Sequence, residues 1–314
     1  MNNILLGAVG TGTNFAMISR LKAYFGDQIN LVGIDINSKE LVTSSLLLDH
    51  FYQVPKSNHP EFEDSVRKII RLHNIDTFIP VLNDEILLAS KLKKEFVNLD
   101  MWVNEKFAVC IDKDQADYFL NSKGIKVPQK YEIENLPEIK KFFIKPRKGF
   151  GSIGAKATSY SEFNLLNLEA EDFIFQEICS GPEVTVDSFY DFDKKIGYSY
   201  CRERIEVKSG VCTKAKLFFD EVLDGIAKKI GEALEQKGTI CFQVMKSGPN
   251  WVVTDLNLRH GAGTALTCAA GYDVLLAAYA CRKGLDYNLF LKQMPHGQEI
   301  YLTRQYSEYV MKII

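Results

Sequence analysis

The chain has 314 residues, 46% of them hydrophobic, and 38 Lys and Arg against 40 Asp and Glu, a formal net charge of -2. This length and composition exclude a small disulfide-stapled scaffold and favour a globular protein of two or three domains. The balanced charge gives no electrostatic reason to expect nucleic acid or an anionic membrane as a partner.

The cysteines and the N-terminus indicate where the protein works. The seven cysteines are widely spaced and form no Cys-x-x-Cys pair, which predicts buried thiols in a reducing compartment. The first residues lack a basic region followed by a long apolar run, and the most apolar helix pattern, residues 272–281, is too short to span a bilayer. We therefore expect a soluble, cytoplasmic protein.

Strand and helix patterns alternate along the first third of the chain. Buried-strand runs at residues 4–9, 30–35, 51–55 and 77–81 alternate with helical patterns after residue 14, at residues 61–72 and from Asp84 onward. This alternation predicts an α/β unit with a parallel, Rossmann-like sheet, and the pattern changes near residue 105.

A glycine turn follows the first strand. Gly10 and Gly12 precede a helix, and Asp35 ends the second strand about twenty residues later, as in dinucleotide-binding units. Phe15 occupies the third glycine position of that motif. An NAD(P)-dependent enzyme is therefore one alternative, and a structural turn that touches a substrate is the other.

Two acids, Asp84 and Glu85, follow the fourth strand. Open α/β sheets bind ligands at the carboxyl ends of their strands, so both residues are candidate substrate contacts. The alternative is capping of the next helix by Asn83 or Asp84.

A predicted strand at residues 142–146 carries Lys145 near its end, and a basic, glycine-rich segment follows it. Glycines let backbone N–H groups approach phosphate oxygens closely, and neighbouring cations offset their charge. The alternative is a mobile basic hairpin, and the pattern is not a Walker A loop. The candidate phosphate contacts in this segment are Gly149, Gly151, Ser152 and Gly154.

Residues 173–187 predict a strand, a turn and a second strand. The backbone at Glu177 and Ile178 offers hydrogen-bonding groups to a flat adenine, and Glu183 offers a carboxylate to two ribose hydroxyls. Spacing alone does not establish either contact.

Strands at residues 238–245 and 251–258 flank a turn and predict a hairpin. Asp255, Asn257 and Arg259 alternate along the second strand and share one face. A three-residue loop would place Gln243 opposite Asp255. Carboxylate and amide oxygens suit Mg2+, and an arginine grips phosphate. The alternative is a half-exposed strand with polar residues outward.

Another pair of candidate substrate contacts is Arg202 and Arg204, two residues apart on a strand at residues 196–207. Both guanidinium groups face one way and could hold a carboxylate. The alternative is a solvated arginine face interleaved with Glu203 and Glu206.

Taken in order, these motifs resemble the ATP-grasp superfamily, most of all the synthetase halves of the carbamoyl-phosphate synthetase large subunit and related carboxylate–amine ligases. The motifs are Asp112-Lys113, Lys145 with its glycine segment, Gln176 to Glu183, and Gln243 with Asp255-x-Asn257-x-Arg259. The resemblance implies a Rossmann-like pre-ATP-grasp domain at residues 1–105. It also implies an ATP-grasp domain at residues 106–314, whose two β-rich subdomains (a lid at about 114–175 and a metal and ATP subdomain at about 176–314) clamp ATP.

The resemblance also implies residue roles. Lys113, Lys145 and the 149–154 segment would contact the ATP phosphates, and residues 176–178 and Glu183 would hold the adenosine. Mg2+, or alternatively Mn2+, would bind Gln243, Asp255 and Asn257, although the family usually has Glu at the position of Asp255. The catalytic set would be Arg259, Lys145 and Asn257, with Gly261 near the substrate.

The implied activity is an ADP-forming ligase that joins a small carboxylic acid or amino acid to an amine or ammonia through an acyl phosphate. The alternatives are the NAD(P)-dependent enzyme and a non-catalytic ATP-binding protein of the same fold. Expected partners are the small-molecule substrates and, as the usual prior for a soluble enzyme, a second copy of the chain.

Overall fold

A computed structural model describes residues 2–149, 153–165, 169–208 and 210–312 of the chain. Across those residues the strands form a five-stranded parallel sheet, a three-stranded antiparallel sheet and a six-stranded antiparallel sheet. The predicted α/β class, with a Rossmann-like unit followed by β-rich units, is therefore confirmed.

The five-stranded sheet has the order β3-β2-β1-β4-β5. Ile4, Leu5 and Leu6 are fully buried, as expected for a parallel sheet covered on both faces. Because β1 and β4 are parallel neighbours, the loops that follow them meet at one edge. The elements are β1 (Asn2–Leu6), α1 (Gly12–Phe25), β2 (Ile29–Asp35), β3 (His50–Gln53), α2 (Phe62–Leu72), β4 (Thr77–Ile79), α3 (Asn83–Leu92) and β5 (Asp100–Met101), with 3-10 turns at Gly26–Gln28, Lys39–Leu41 and Thr43–Leu46.

Asp35 closes the glycine turn between β1 and α1. Its carboxylate accepts hydrogen bonds from the backbone N–H of Gly10 at 2.7 Å and of Asn37 at 3.0 Å, and it is 6% exposed. A Cβ at Gly10 would lie 2.8 Å from Asp35 Oδ2, so a side chain at this position would displace the carboxylate. With Asp35 buried and bonded in this way, the turn has a structural role and does not present an acid to a ribose.

The three-stranded sheet, of order β7-β6-β8, follows two short helices. Phe142, Ile144, Phe163 and Phe175 form its small apolar core. Asp112 begins α5 by accepting a hydrogen bond from the N–H of Asp114 at 3.0 Å. The elements are α4 (Phe107–Cys110), α5 (Lys113–Ser122), β6 (Phe142–Pro146), β7 (Lys156–Thr158), α6 (Tyr160–Leu165) and β8 (Phe173–Gln176), with 3-10 turns at Ile133–Glu138 and Ala170–Asp172.

The six-stranded sheet has the order β13-β12-β9-β10-β11-β14 and is antiparallel throughout. The helices Glu221–Ala233 and Val274–Arg282 pack against its central strands, whose middle residues are buried. The elements are β9 (Ser180–Asp191), β10 (Ile196–Lys208), β11 (Val211–Phe218), α7 (Glu221–Ala233), β12 (Lys237–Ser247), β13 (Asn250–Asn257), α8 (Thr264–Ala269), α9 (Val274–Arg282), a 3-10 turn at Tyr287–Leu289 and β14 (Glu299–Thr303).

Strands β12 and β13 form the predicted hairpin, and Gln243 lies opposite Asp255 as predicted. The route to this register differs from the expectation. Ser247 pairs with Asn250, so the loop has two residues, and a bulge at Thr254 between the Val253 and Asp255 pairs supplies the missing step.

One buried apolar cluster joins the parallel sheet to the six-stranded sheet. It includes Leu6 of β1, Phe25 of α1, Phe189 of β9 and Tyr279 of α9. The predicted boundary near residue 105 falls between β5 and α4, and the domain and lid limits stay predictions. Throughout the described ranges, every helix falls short of the length and apolar character that a bilayer span requires.

Candidate functional site

A cavity of about 600 Å³ opens between the three-stranded and six-stranded sheets. The loops at the edge of the parallel sheet close one end of it through Thr13 and Asn83, two residues to which the sequence assigned no ligand role. Most of the predicted site residues line this cavity: Lys113, Lys145, Gly149, Gln176, Glu177, Ile178, Glu183, Arg202, Arg204, Gln243, Asp255, Asn257, Arg259 and Gly261.

Some predicted residues lie elsewhere. Asp84 is exposed and accepts a hydrogen bond from the Ser57 hydroxyl at 3.0 Å. Glu85 is buried and caps its own helix, accepting from the N–H groups of Val81 at 3.0 Å and Leu82 at 3.1 Å. Helix capping thus comes from Glu85 and not from the expected Asn83 or Asp84, and the structure brings neither acid to the cavity. Gly154 is also absent from the described lining, and Gly151 and Ser152 lie outside the described residues.

Lys113, Asp255 and Asn257 form a linked group on the cavity wall. Lys113 Nζ lies 2.6 Å from Asp255 Oδ1, and Asn257 Nδ2 donates to Asp255 Oδ2 at 2.7 Å. Burial alone would raise the pKa of Asp255, but the ammonium groups of Lys113 and Lys145 and the Asn257 hydrogen bond bring that pKa below its ordinary value. Asp255 is therefore an anion at neutral pH.

Lys145 is held beside this group by an acid that the sequence reasoning missed. Its Nζ donates to the Thr254 carbonyl at 3.1 Å and to Asp117 Oδ2 at 3.4 Å, and Gln176 Nε2 also donates to Asp117 Oδ2 at 2.8 Å. Burial raises the pKa of Asp117, and Lys145 opposes that rise. The one available signal was helical spacing, because Asp117 follows Lys113 by one turn on α5.

Glu183 and Arg204 form an ion pair across β9 and β10, with Arg204 Nη1 at 2.5 Å from Glu183 Oε2. In the amide orientation that satisfies both atoms, Gln243 donates to Glu183 at 3.0 Å and accepts from Arg204 at 2.9 Å. The carboxylate predicted to hold a ribose is thus fixed by a cation and an amide on the same wall.

The predicted adenine end is apolar. Phe143, Ile153 and Met245 line it together with Ile178, whose backbone N–H and C=O have no partner within the described part of the chain. Glu177 is fixed, because its N–H donates to the Gln129 carbonyl at 2.9 Å and its carboxylate accepts from the Gln129 N–H at 2.8 Å. Ile178 therefore offers the free backbone groups that the sequence assigned to this segment.

Arg202 belongs to a buried network under the glycine loop at residues 261–263. Asp187 accepts from Arg202 Nε at 3.2 Å, from Thr264 Oγ1 at 2.7 Å and from Thr267 Oγ1 at 2.5 Å. A Cβ at Gly263 would lie 2.6 Å from the guanidinium nitrogens of Arg202. Because Arg202 is 2% exposed, the alternative of a solvated arginine face is wrong at this residue.

Arg259 is the cation of the cavity whose charge stays uncompensated. Its Nη1 donates to the carbonyl of His260 at 3.2 Å, and among the residues described no carboxylate pairs with it. The other cations of the wall each have an acidic partner: Lys113, Lys145, Arg202 and Arg204. An anionic ligand group is therefore best accommodated at Arg259.

The oxygen donors of this wall would suit one Mg2+ ion. Asp255 supplies a carboxylate. The nitrogen of the Asn257 amide donates to Asp255, so the amide oxygen points away from that bond and can bind a metal. The oxygen of Gln243 faces Arg204, which makes Gln243 the weakest of the three expected ligands. No group of three His, Cys, Asp or Glu side chains suited to a metal occurs in the described ranges.

Comparison with known proteins identifies the domain that carries most of this site. A family model described as an ATP-grasp domain matches residues 110–263, and no curated protein matches the chain. Among solved structures, N5-carboxyaminoimidazole ribonucleotide synthetase from Thermotoga maritima is similar with a TM-score of 0.69 at 16% identity, over 93% of this chain and 78% of that one.

Two further structures share the fold. The L-amino acid ligase from Bacillus licheniformis has a TM-score of 0.71 at 12% identity, over 92% of this chain and 76% of that one. The biotin carboxylase domain dimer of Hydrogenobacter thermophilus 2-oxoglutarate carboxylase, solved with MgADP, ADP and bicarbonate, has a TM-score of 0.72 at 11% identity, over 94% of this chain and 71% of that one. The chain therefore contains an ATP-grasp domain at residues 110–263.

Proposed function

We propose that the chain is an ADP-forming ligase that joins a small carboxylic acid to an amine. The observation that supports this most is the gathering of Lys113, Lys145, Asp255, Asn257 and Arg259 on one cavity wall. These are the cations, the carboxylate and the amide that a phosphoryl-transfer site needs, and Arg259 carries an uncompensated charge. The similar structures are a synthetase, a ligase and a carboxylase, which agrees with this class.

In this proposal ATP lies along the cavity. The adenine packs between Phe143, Ile178 and Met245 and uses the free backbone groups of Ile178. The ribose reaches the Glu183 carboxylate, and the phosphates reach Lys113 and Lys145.

Asp255 and Asn257 would hold Mg2+, which would offset phosphate charge when bound. The residues of the chain act by holding these charged groups in position. Lys113 and Asn257 orient the Asp255 carboxylate, and Asp117 with the Thr254 carbonyl fixes the ammonium of Lys145. Mn2+ and a homodimer stay predictions.

The proposed reaction has two steps. A carboxylate oxygen of the acid attacks the γ-phosphorus of ATP, ADP leaves, and an acyl phosphate forms. The nitrogen of the amine then attacks the acyl carbon and loses a proton, a C–N bond forms, and phosphate leaves. Arg259 lies beside the group that carries negative charge in both steps, so it stabilises the transferring phosphoryl group and then the tetrahedral intermediate.

The decisive experiment measures ADP and phosphate release across a panel of carboxylic acids paired with amines and ammonia. The wild-type chain should release ADP over many turnovers only when both substrates are present, because the amine must discharge the acyl phosphate before the next cycle. Asp255→Ala should lower turnover at least about 100-fold, because it removes the charged metal ligand. Asp64→Ala is the matched control, since Asp64 is an exposed acid paired with Arg67 on α2, far from the cavity.

Equal turnover in wild type and Asp255→Ala would remove Asp255 from the site. ATP binding without ADP release under any substrate pair would favour the non-catalytic alternative. The composition of the proposed metal set favours this alternative, because Asp255 is its single charged ligand and the amide oxygen of Gln243 faces Arg204.

A further inference from the structure

A row of side chains crosses the edge of the six-stranded sheet on the face that borders the cavity. Arg204 lies opposite Ala215, and Ala215 lies opposite Leu302. Directly opposite residues of antiparallel strands point to the same side, so the row shares the face of Arg204, which lines the cavity. Arg304, two residues after Leu302, continues the alternation onto that face, because its N–H extends the ladder to the Thr213 carbonyl at 2.8 Å.

The guanidinium of Arg304 reaches the glycine loop at residues 261–263. Its Nη2 donates to the Ala262 carbonyl at 2.8 Å. The guanidinium nitrogens of Arg202 lie against the next residue, since a Cβ at Gly263 would be 2.6 Å from them. The two arginines therefore approach consecutive residues of one loop, and that loop lines the cavity.

These two cations share a single acid. Arg202 is paired with Asp187 at 3.2 Å, whereas no carboxylate forms an ion pair with Arg304 in the described part of the chain. Arg304 is half-buried, and burial, followed by the neighbouring charge of Arg202, lowers the pKa of its guanidinium. A partly buried cation without a partner is unfavourable. An anionic group beside Arg304 would therefore be stabilised.

The reacting part of the substrate does not supply this group. Arg259, which immediately precedes the loop, is the other uncompensated cation, and the proposed reaction assigns it to the transferring phosphoryl group. A single carboxylate, converted to its acyl phosphate at Arg259, leaves Arg304 unpaired. Arginine binds the oxygens of carboxylates and phosphates through two parallel hydrogen bonds, so either group would suit Arg304.

We propose that the acid substrate carries a second anionic group, a carboxylate or a phosphate, in addition to the carboxylate that reacts, and that Arg304 binds it. The substrate class is then a dicarboxylic acid or a phosphorylated carboxylic acid. Arg304 determines specificity for the acid and takes no part in the proposed nucleotide and metal contacts. The inference rests on the proposed function, which places the reacting group beside Arg259.

Binding of matched acids tests this without turnover. The pairs are butyrate with succinate, pentanoate with glutarate, and glycerate with 3-phosphoglycerate, and the members of each pair differ in one anionic group. Each acid is titrated by calorimetry into the protein, both alone and with ADP and Mg2+. In at least one pair the member with two anionic groups should bind about tenfold more tightly, because it gains charge-assisted hydrogen bonds. The pair that shows the preference distinguishes a carboxylate from a phosphate.

Two variants separate the charge of Arg304 from its shape. Arg304→Gln should reduce the preference to less than about twofold and leave the affinity for the member with one anionic group unchanged. Arg304→Lys, which keeps the charge, should retain part of the preference. Lys214→Gln is the matched control and should bind like wild type. Lys214 is an exposed cation of β11 on the opposite face to Ala215, and it is paired with Glu206 at 3.1 Å.

A wild-type protein that shows no preference in any pair would overturn the proposal, and this result needs no variant. An Arg304→Gln protein that binds both members of a pair more weakly by the same factor would also overturn it, because a purely structural role has that effect. If Arg304→Gln does not fold, Arg304→Met takes its place.

The two levels of the inference fail separately. If the preference depends on Arg304 but no acid and amine together release ADP, the proposed ligase activity fails and the anion site stands. If ADP is released and the two members of every pair react with the same kcat/KM, the activity stands and the second anionic group is excluded.

Discussion

At the scale of single residues, His260 is a group whose titration the fold constrains strongly. It is 3% exposed, and burial, together with the neighbouring charge of Arg259, lowers its pKa to about 4. The buried carboxylate of Asp187 and the backbone of Thr13 oppose this shift and are outweighed. His260 is therefore neutral in the folded protein across the physiological range.

This pKa predicts a loss of stability in acid. As the pH falls below 6.5, the unfolded chain takes up a proton at this histidine before the folded chain does, so stability falls between pH 6.5 and pH 4 by up to about 3 kcal/mol. Urea unfolding of His260→Asn should show a flatter dependence over that range than wild type. His59→Asn, which changes an exposed histidine, should keep the wild-type slope. Parallel profiles for His260→Asn and wild type would contradict the prediction.

The residues that could be predicted from the sequence are those whose positions depend on local spacing. Asp255 and Asn257 are two residues apart on a strand, so their shared face followed from the strand repeat. Asp117 and Asp187 were missed because each pairs with a cation that is distant along the chain: Asp117 with Lys145, and Asp187 with Arg202. A buried cation requires a partner, but the sequence does not say which acid the fold will bring to it.

At the scale of elements, the β12–β13 hairpin depends on Gly248. This glycine has a φ of +55° in the two-residue loop, a conformation that costs other residues about 1–2 kcal/mol. A Cβ there would meet no atom within 4 Å, so Gly248→Ala should lose about 1 kcal/mol from the backbone alone. Gly225→Ala should have the opposite effect. Gly225 lies inside α7, where alanine has the higher helix propensity and a Cβ would meet no atom within 4 Å, so the change should raise the stability of the protein by about 0.5–1 kcal/mol.

Thermal or urea unfolding of the two alanine variants compares these effects directly. A Gly248→Ala protein as stable as wild type would show that the loop adopts another conformation.

The Gln243–Asp255 register could be predicted because the polar residues of both strands must face the cavity. The bulge at Thr254 and the edge strand β14 could not, because β14 pairs with β11 about ninety residues earlier in the chain, beyond the reach of local patterns.

At the scale of the whole molecule, the predicted division at residue 105 does not correspond to a division of the apolar core. Leu6 of the parallel sheet and Phe189 of the six-stranded sheet belong to one buried cluster, with Tyr279 of α9 among its members. Tyr279 contacts the N-terminal part directly: its ring centre lies 5.0 Å from that of Phe25, and its hydroxyl accepts from Asn2 at 3.0 Å. Sequence patterns show each element's apolar face but not which distant face covers it.

A shared core predicts that the N-terminal sheet and the six-stranded sheet unfold together. Trp102 reports on the end of the parallel sheet and Trp251 on the β12–β13 hairpin, so the variants Trp251→Phe and Trp102→Phe isolate one fluorescence signal each. In urea the two signals should change with the same midpoint. Tyr279→Ala should lower both midpoints together, by about 3–5 kcal/mol in stability, because it removes a fully buried aromatic ring from the cluster.

The matched control for this change is Tyr301→Ala on the edge strand β14, where the side chain is 69% exposed and little buried area is lost. Two separate midpoints, or a Tyr279→Ala protein in which only the Trp251 signal moves, would show that the sheets unfold independently. A single transition instead means that the loops carrying Thr13 and Asn83 are held against the cavity by the same core that holds α9. These loops and Arg259, which line the same cavity, would then keep their relative positions whenever the protein is folded, which a reaction between bound substrates requires.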